Sequence, residues 1–270
     1  MVTSKRLYKT LLLSSLLIGS IFMSSLYLFS LPLITQAFSD YEGALQIVLI
    51  IFARIFILSV ISYYLFHKWF RQEAQYLSDI PFLLGMFFLI LVFGKGVDLL
   101  WDLTFFTLKD EVVLLLLKFR FFIIIFEVAP LLYLGMEIIF FRLEDRFNKL
   151  KDKRYMNTLR TRLIIAIVSL ESIVVIIIPN FTLIGMVLPM ILIPSLLGIV
   201  YIFYLAYRLN RLSVVKPKIL TIGFLIYLIS NIFRPVMQNI LGESANYIIV
   251  VEFVDLIIFV VIFLGLYKKV

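Results

Sequence analysis

Long apolar runs and short polar breaks alternate along the chain. Stretches of about 20 apolar residues, the length that crosses a hydrocarbon layer of about 30 Å, recur at roughly 8–31, 43–66, 80–107, 112–141, 163–180, 182–208, 218–241 and 246–267. This pattern predicts an all-α polytopic transmembrane bundle of about eight spanning helices, forming a single integral membrane domain over 1–270. Residues 112–141 exceed one perpendicular span, so that helix is expected to tilt or to project beyond the bilayer. Residues 163–208 could form one re-entrant unit, but the Pro179-Asn180 turn signal within IIIPNFTLIG (176–185) divides them into a hairpin. The first run follows MVTSKRLYKT. Its apolar part is nearer 20 residues than the 7–15 of a signal core, and no A-x-A site follows, so it reads as a retained helix.

Composition supports the same class. The chain is 63% apolar and 16% charged, against about 45–50% and about 25% in soluble domains, with a mean hydropathy of +1.10. A core of this length cannot bury that much apolar surface, so the excess faces lipid.

The formal charge of +8 is distributed by side. With eight spans, one side collects Lys5, Arg6, Lys9, Lys68, Arg71, the basic residues of 142–162, Arg208, Arg211, Lys216, Lys218, Lys268 and Lys269, which is 19 of the 25 Lys and Arg. The other side holds Lys109 beside Asp40, Glu42, Asp110, Glu111 and Glu243. By the positive-inside rule both termini are cytoplasmic, as expected for a plasma-membrane protein, and the basic excess signals topology rather than a nucleic-acid partner.

YLFHKWFR (64–71) parallels YLAYRLNR (204–211), and GMFFLILVFGK (85–95) parallels GFLIYLISNIFR (223–234). Spans two and three would then match spans six and seven, as in a four-plus-four parallel repeat.

Against this apolar background FGKGVDLLWD (93–102) stands out. An ion near the bilayer centre costs at least about 2.5–3.5 kcal/mol, so such residues turn inward and find partners. Spacings of three and four place Lys95, Asp98 and Asp102 on one helical face, flanked by Trp101 and by Gly94 and Gly96, which permit close helix approach. Matching stripes are Asn231, Arg234 and Gln238 beside Pro235, Glu252 with Asp255, and Arg120 with Glu127 ahead of Pro130; single ions are Arg54 and Glu171. Lys118 points away from Arg120 and is expected to snorkel outward. At about 1.5 Å per residue these ions fall about 8–22 Å deep in the extracellular half, four bases against six acids. Three readings follow: a structural ion-pair network, a site for a polar or charged ligand open to the outside, and an ion or proton pathway. The pathway is disfavoured because a channel needs polar partners along its length, whereas the cytoplasmic half offers only Glu137, near an end.

The hydrophilic connection RLEDRFNKLKDKRYMNTLRTR (142–162) places Leu143, Phe147 and Leu150 at helical spacing, predicting that the fourth span continues as an amphipathic helix. It reads as a loop contacting lipid headgroups, or as a docking surface for a cytoplasmic partner. No enzyme is expected. Asp98 and Asp102 imitate half of a metal-binding transferase motif without a second DxxxD, and phosphate-loop, HExxH and GxSxG motifs do not occur. With no cysteine and one histidine, His67, disulfides, thiolate metal sites and paired-imidazole haem are excluded. A retinal protein would want a late buried lysine. No cofactor or metal is expected.

FLLGMFFLILVFGKGVDLLWD with FEVAPLLYLGMEI, and YRLNRLSVVKPKILTIGFLIYLIS, resemble the seven- or eight-helix membrane modules of prokaryotic sensors that precede histidine kinase or cyclase domains. The resemblance covers about half the chain. It implies a multi-helix sensory region, and since the sequence closes at YKKV, a signal passed to a separate protein; no family site residues carry over. The expected function is a multi-pass receptor or sensor with a charged pocket in its extracellular half. The alternatives are a small-solute or ion- or proton-coupled transporter, and a structural subunit of a membrane complex. Expected partners are the bilayer, a cytoplasmic protein at 142–162, and a polar small molecule from outside.

Overall fold

The structure, a computed structural model, describes residues 2–40, 42–104, 110–210, 212, 215–242 and 244–267. Lys109, Arg211, Glu243, Lys268, Lys269, the stretch 105–107 of the third run and the side chains of Lys5, Arg6 and Asp110 lie outside it. Where lipid surrounds the chain, backbone polar groups must bond within their own segment, which leaves the helix as the element for such apolar runs. Among the described residues there is no strand. The helices are α1 (Val2–Phe29), α2 (Leu31–Asp40), α3 (Ala44–Phe70), α4 (Ile80–Thr104), α5 (Asp110–Leu143), α6 (Lys153–Ile177), α7 (Phe181–Arg208), α8 (Pro217–Leu241) and α9 (Ala245–Leu266). The eight long ones fall on the predicted runs, so the chain is an all-α bundle. Among the described residues six of the eight predicted runs hold a helix long and apolar enough to cross a bilayer, Tyr8–Phe29, Ala44–Phe70, Ile80–Thr104, Pro189–Arg208, Pro217–Leu241 and Ala245–Leu266, and the runs in α5 and α6 do not. That is the make-up of a multi-pass membrane protein.

Local chemistry sets the breaks. Side chains of Asp152, Asn180 and Ser244 accept from the backbone N–H groups of Arg154, Leu183 and Tyr247 and cap α6, α7 and α9. Pro217 opens α8, where its missing N–H costs nothing. The Pro179-Asn180 break does separate a hairpin, with α6 ending at Ile177 and α7 starting at Phe181.

One helix was not anticipated, and the reading of the 142–162 connection is corrected. The connection after the first run contains a helix, α2, with Pro32 in its first turn and Ala37 buried against the Ile47 and Ile51 region of α3. The fourth span also does not continue to Leu150. Helix α5 stops at Leu143, Phe147 is exposed, and Asn148–Lys151 forms one 3-10 turn that buries Leu150. The helical extension belongs instead to α6, which starts at Lys153 rather than near 163, because Asp152 caps it there.

Six helices close a ring in the order α3, α4, α5, α7, α8, α9 and back to α3. Helices α1 and α6 stand outside it. Helix α1 leans on α4, where the Tyr27 hydroxyl donates to the Gly96 carbonyl at 2.6 Å. Helix α6 packs on α5, joining Val175 and Ile178 to Phe121 and Ile125. A half-turn repeat would carry α3–α4–α5 onto α7–α8–α9, as the ring order allows. It does not carry α1, which leans on α4, onto α6, which leans on α5.

The largest apolar core fills the half of the ring toward the α3–α4, α5–α6 and α7–α8 connections, here termed the basic end. Phe203 stacks on Phe224 at 5.3 Å and 5°. Phe87 meets Phe224 edge-on, and Phe88 meets Phe259 the same way. Leu58, Leu131 and Ile262 complete this layer from α3, α5 and α9. The interior is therefore shut at one end, and whatever chemistry the bundle holds must sit at the other.

Candidate functional site

The two glycines of FGKGVD answer how ions fit between apolar helices. A Cβ on Gly94 would lie 2.7 Å from Arg120 Nη1 and 3.0 Å from its Cζ, so the guanidinium of α5 lies directly against the α4 backbone. A Cβ on Gly96 would meet the Met23 methyl of α1 at 2.5 Å. One glycine admits a charged neighbour and the next a lipid-side helix.

The ions that converge there form a continuous alternating chain. Arg234 of α8 bonds Asp255 of α9. Asp255 also holds Arg54 of α3 at 2.8 Å, and Arg54 holds Glu252 of α9 at 2.7 Å. Glu252 reaches Lys95 of α4 at 2.8 Å, and Lys95 reaches Asp98 at 2.9 Å. Asp98 takes two bonds from Arg120 of α5, at 2.5 and 3.2 Å. The last approach, from Arg120 Nη1 to Glu127 Oε2, is 3.7 Å, too long for a hydrogen bond. The chain ties five of the six ring helices at one level. Phe259 lies under the Arg54 guanidinium at 5.0 Å, and Ser230 donates to Asp255.

In front of this chain lies a cavity of about 540 Å³, within the size range of small-molecule sites. Lys95, Asp98, Trp101, Asp102, Arg120, Glu127, Asn231, Arg234, Gln238 and Glu252 line it. Arg54 and Asp255, 1% and 0% exposed, form its backing. Its apolar lining includes Phe87, Phe121, Leu192, Ile193 and Tyr227. Phe87 and Tyr227 belong also to the aromatic core, so the cavity floor is the top of the closed layer. The side chains of Asp98 and Arg234 keep 22% and 27% exposure, so the polar wall is not fully enclosed.

Twelve of the thirteen residues singled out from the sequence thus line or back one cavity. Glu171 does not join them. It sits half-buried on peripheral α6, with no ion pair among the described residues. The expectation for Glu171 is corrected: its helix lies outside the ring, and an isolated acid carries no sequence signal of which neighbour its helix meets. Lys118 turns away from Arg120 as expected, and its Nζ donates to the Ile176 carbonyl at 3.0 Å, complementing the negative end of α6.

A second polar knot escaped the sequence reading. Arg160 was grouped with the solvated basic connection, yet it is 2% exposed. It donates to Glu137 at 2.7 Å, to the Tyr133 hydroxyl at 2.5 Å and to Asn157 at 2.9 Å, with its guanidinium 3.7 Å above the Tyr133 ring. Tyr133 and Glu137, four apart on α5, were the available signal. This knot fixes the base of α6 to α5.

Among the described residues no group of His, Cys, Asp and Glu is arranged to hold a metal ion. Compared with known proteins, the chain matches no family model, no curated protein and no solved structure.

Proposed function

We propose that the chain is a multi-pass membrane receptor of sensor type, which admits a polar small molecule to the α4–α5–α7–α8–α9 cavity from the outer face of the plasma membrane. The observation that carries this reading is a cavity with a charged wall and a closed aromatic floor. A ligand can enter such a site and change it without a through-path. The basic residues gathered at the opposite end favour placing that end, and both termini, in the cytoplasm.

Occupancy has a physical route to the rest of the molecule. The ion chain couples α8, α9, α3, α4 and α5, so a charged ligand seated against it alters how those helices pack. The change is read at the basic connections, where a separate cytoplasmic protein docks. The resemblance to prokaryotic sensor modules agrees with this division of labour. A transporter is the second reading, favoured by Pro130 in α5, Pro189 and Pro194 in α7 and Pro235 in α8. Prolines break helices at the binding sites of many transporters.

Cysteine placement separates the two, since the chain has no cysteine of its own. Gln238→Cys at the cavity and Phe203→Cys in the floor are each treated with a membrane-impermeant maleimide from either side. The receptor reading expects labelling of Gln238→Cys from outside and of Phe203→Cys from neither. Cytoplasmic labelling of Gln238→Cys refutes it and supports alternating access.

A further inference from the structure

We propose that the cavity takes an organic cation, an ammonium group on a small apolar body, drawn in by Asp102 and Glu127, the two lining carboxylates that the ion chain leaves without a hydrogen bond. This deepens the receptor reading and rests on it. The argument starts from which charges are already used. Arg54, Lys95, Arg120 and Arg234 each bond at least one carboxylate, and Asp98, Glu252 and Asp255 each bond two cations. These seven ions, four bases and three acids, hold one another in one chain, although Nε and Nη2 of Arg54, Nη1 of Arg120 and Nε of Arg234 find no hydrogen-bond partner among the described residues.

Two acids remain. Asp102, one turn beyond Asp98 on α4, makes no hydrogen bond or ion pair among the described residues. Glu127 has only the 3.7 Å approach of Arg120, and its Oε2 finds no hydrogen-bond partner although the side chain is 8% exposed. Both line the cavity. With four bases against five acids, the group as a whole lacks one positive charge. A buried carboxylate in that position calls for a cation or a proton.

The cavity itself selects among cations. A metal ion is disfavoured because no three or more His, Cys, Asp or Glu side chains gather to hold one among the described residues. An anion would add a charge to a group whose acids already outnumber its bases by one. An ammonium displaces nothing. Phe87, Phe121 and Tyr227 bring aromatic rings, the groups that attract a cation at their faces, into the lining, and Leu192, Ile193 and Ile124 offer surface for an apolar body. Donors along an ammonium reach carboxylate oxygens without a fixed planar geometry.

The test uses the full chain purified in detergent and three probes of one shape: phenethylammonium, zwitterionic phenylalanine and 3-phenylpropionate. Binding is read by calorimetry and by protection of Gln238→Cys from maleimide. Phenethylammonium is expected to bind saturably and to protect, with the other two at least about tenfold weaker. Asp102→Asn and Glu127→Gln should each weaken it by about tenfold or more, the loss expected for one charge-assisted bond. Equal or tighter binding of phenylalanine or 3-phenylpropionate overturns the proposal. So does absence of phenethylammonium binding, which leaves a proton as the neutralising species. The comparison of probes on the unsubstituted chain stands even where a variant folds poorly. Failure of the receptor reading is a different result, namely Gln238→Cys reached from the cytoplasmic side in membranes.

Discussion

Arg54→Met removes the central link of the ion chain and replaces it with a side chain of similar length. Arg54 is 1% exposed and touches Glu252 at 2.7 Å and Asp255 at 2.8 Å. At charge separations of about 4 Å and an effective dielectric constant of about 20, each contact contributes about 4 kcal/mol, or about 8 kcal/mol for two. Release of the guanidinium from its dry site returns several kcal/mol of hydration in the unfolded reference. Glu252 keeps Lys95 and Asp255 keeps Arg234, so neither acid is stranded. The net expectation is a loss of about 3–5 kcal/mol, the range seen when one member of a buried network is removed. Reversible unfolding of the detergent-solubilised chain by SDS measures it. Asp102→Asn is the control, because it removes a charge of the same cavity with no bonded partner and should cost less than about 1 kcal/mol. Equal losses for Arg54→Met and Asp102→Asn would refute the view that the chain of pairs, rather than bulk polarity, holds the helices.

Gly94→Ala should destabilise by about 1–3 kcal/mol, since the new methyl meets a guanidinium that two bonds to Asp98 prevent from moving. Gly198→Ala, with nothing within 4 Å of its Cβ, should be neutral or stabilising by up to about 1 kcal/mol; the same unfolding assay reads both. Arg160→Ala should raise hydrogen exchange across 153–162 at the start of α6, and Arg160→Lys should not restore protection, because a lysine cannot stack flat on Tyr133 while reaching Glu137 and Asn157. Protection equal to the parent in Arg160→Lys would contradict that account. Lys118→Met should loosen the last turn of α6, seen as faster exchange at 174–177, through loss of the bond to Ile176.

The eight runs were legible because lipid imposes a length: a span needs about 20 apolar residues whatever its neighbours. The start of α6 was not, because KRYMNTLRTR carries no such signal and its helix is set by one capping acid, Asp152. Helix α2 was missed as well. Its ten residues, Leu31–Asp40, are too few to register as a run of span length.

For the site, spacing of three and four identified faces, and the faces were correct for α4, α8 and α9. What spacing cannot supply is rotation of one helix against another. Which base meets which acid, and the fact that Asp102 is left over while Asp98 is bonded twice, depend on that rotation. Glu171 shows the same gap, since its helix turned out to lie beyond the ring. The end of the polar stripe was visible as a run of Leu, Phe and Ile, and its meaning is steric. Once Phe87, Phe203, Phe224 and Phe259 pack together from four helices of the ring, a charged group among them would have no partner and no water. The absence of charge inside the ring at that level is therefore a requirement of the closed floor, with the Arg160–Glu137 pair lying between α5 and the peripheral α6, and the charge above it must be balanced within the cavity itself. A network with one acid too many, sitting on a dry floor, can meet that balance only from the open end.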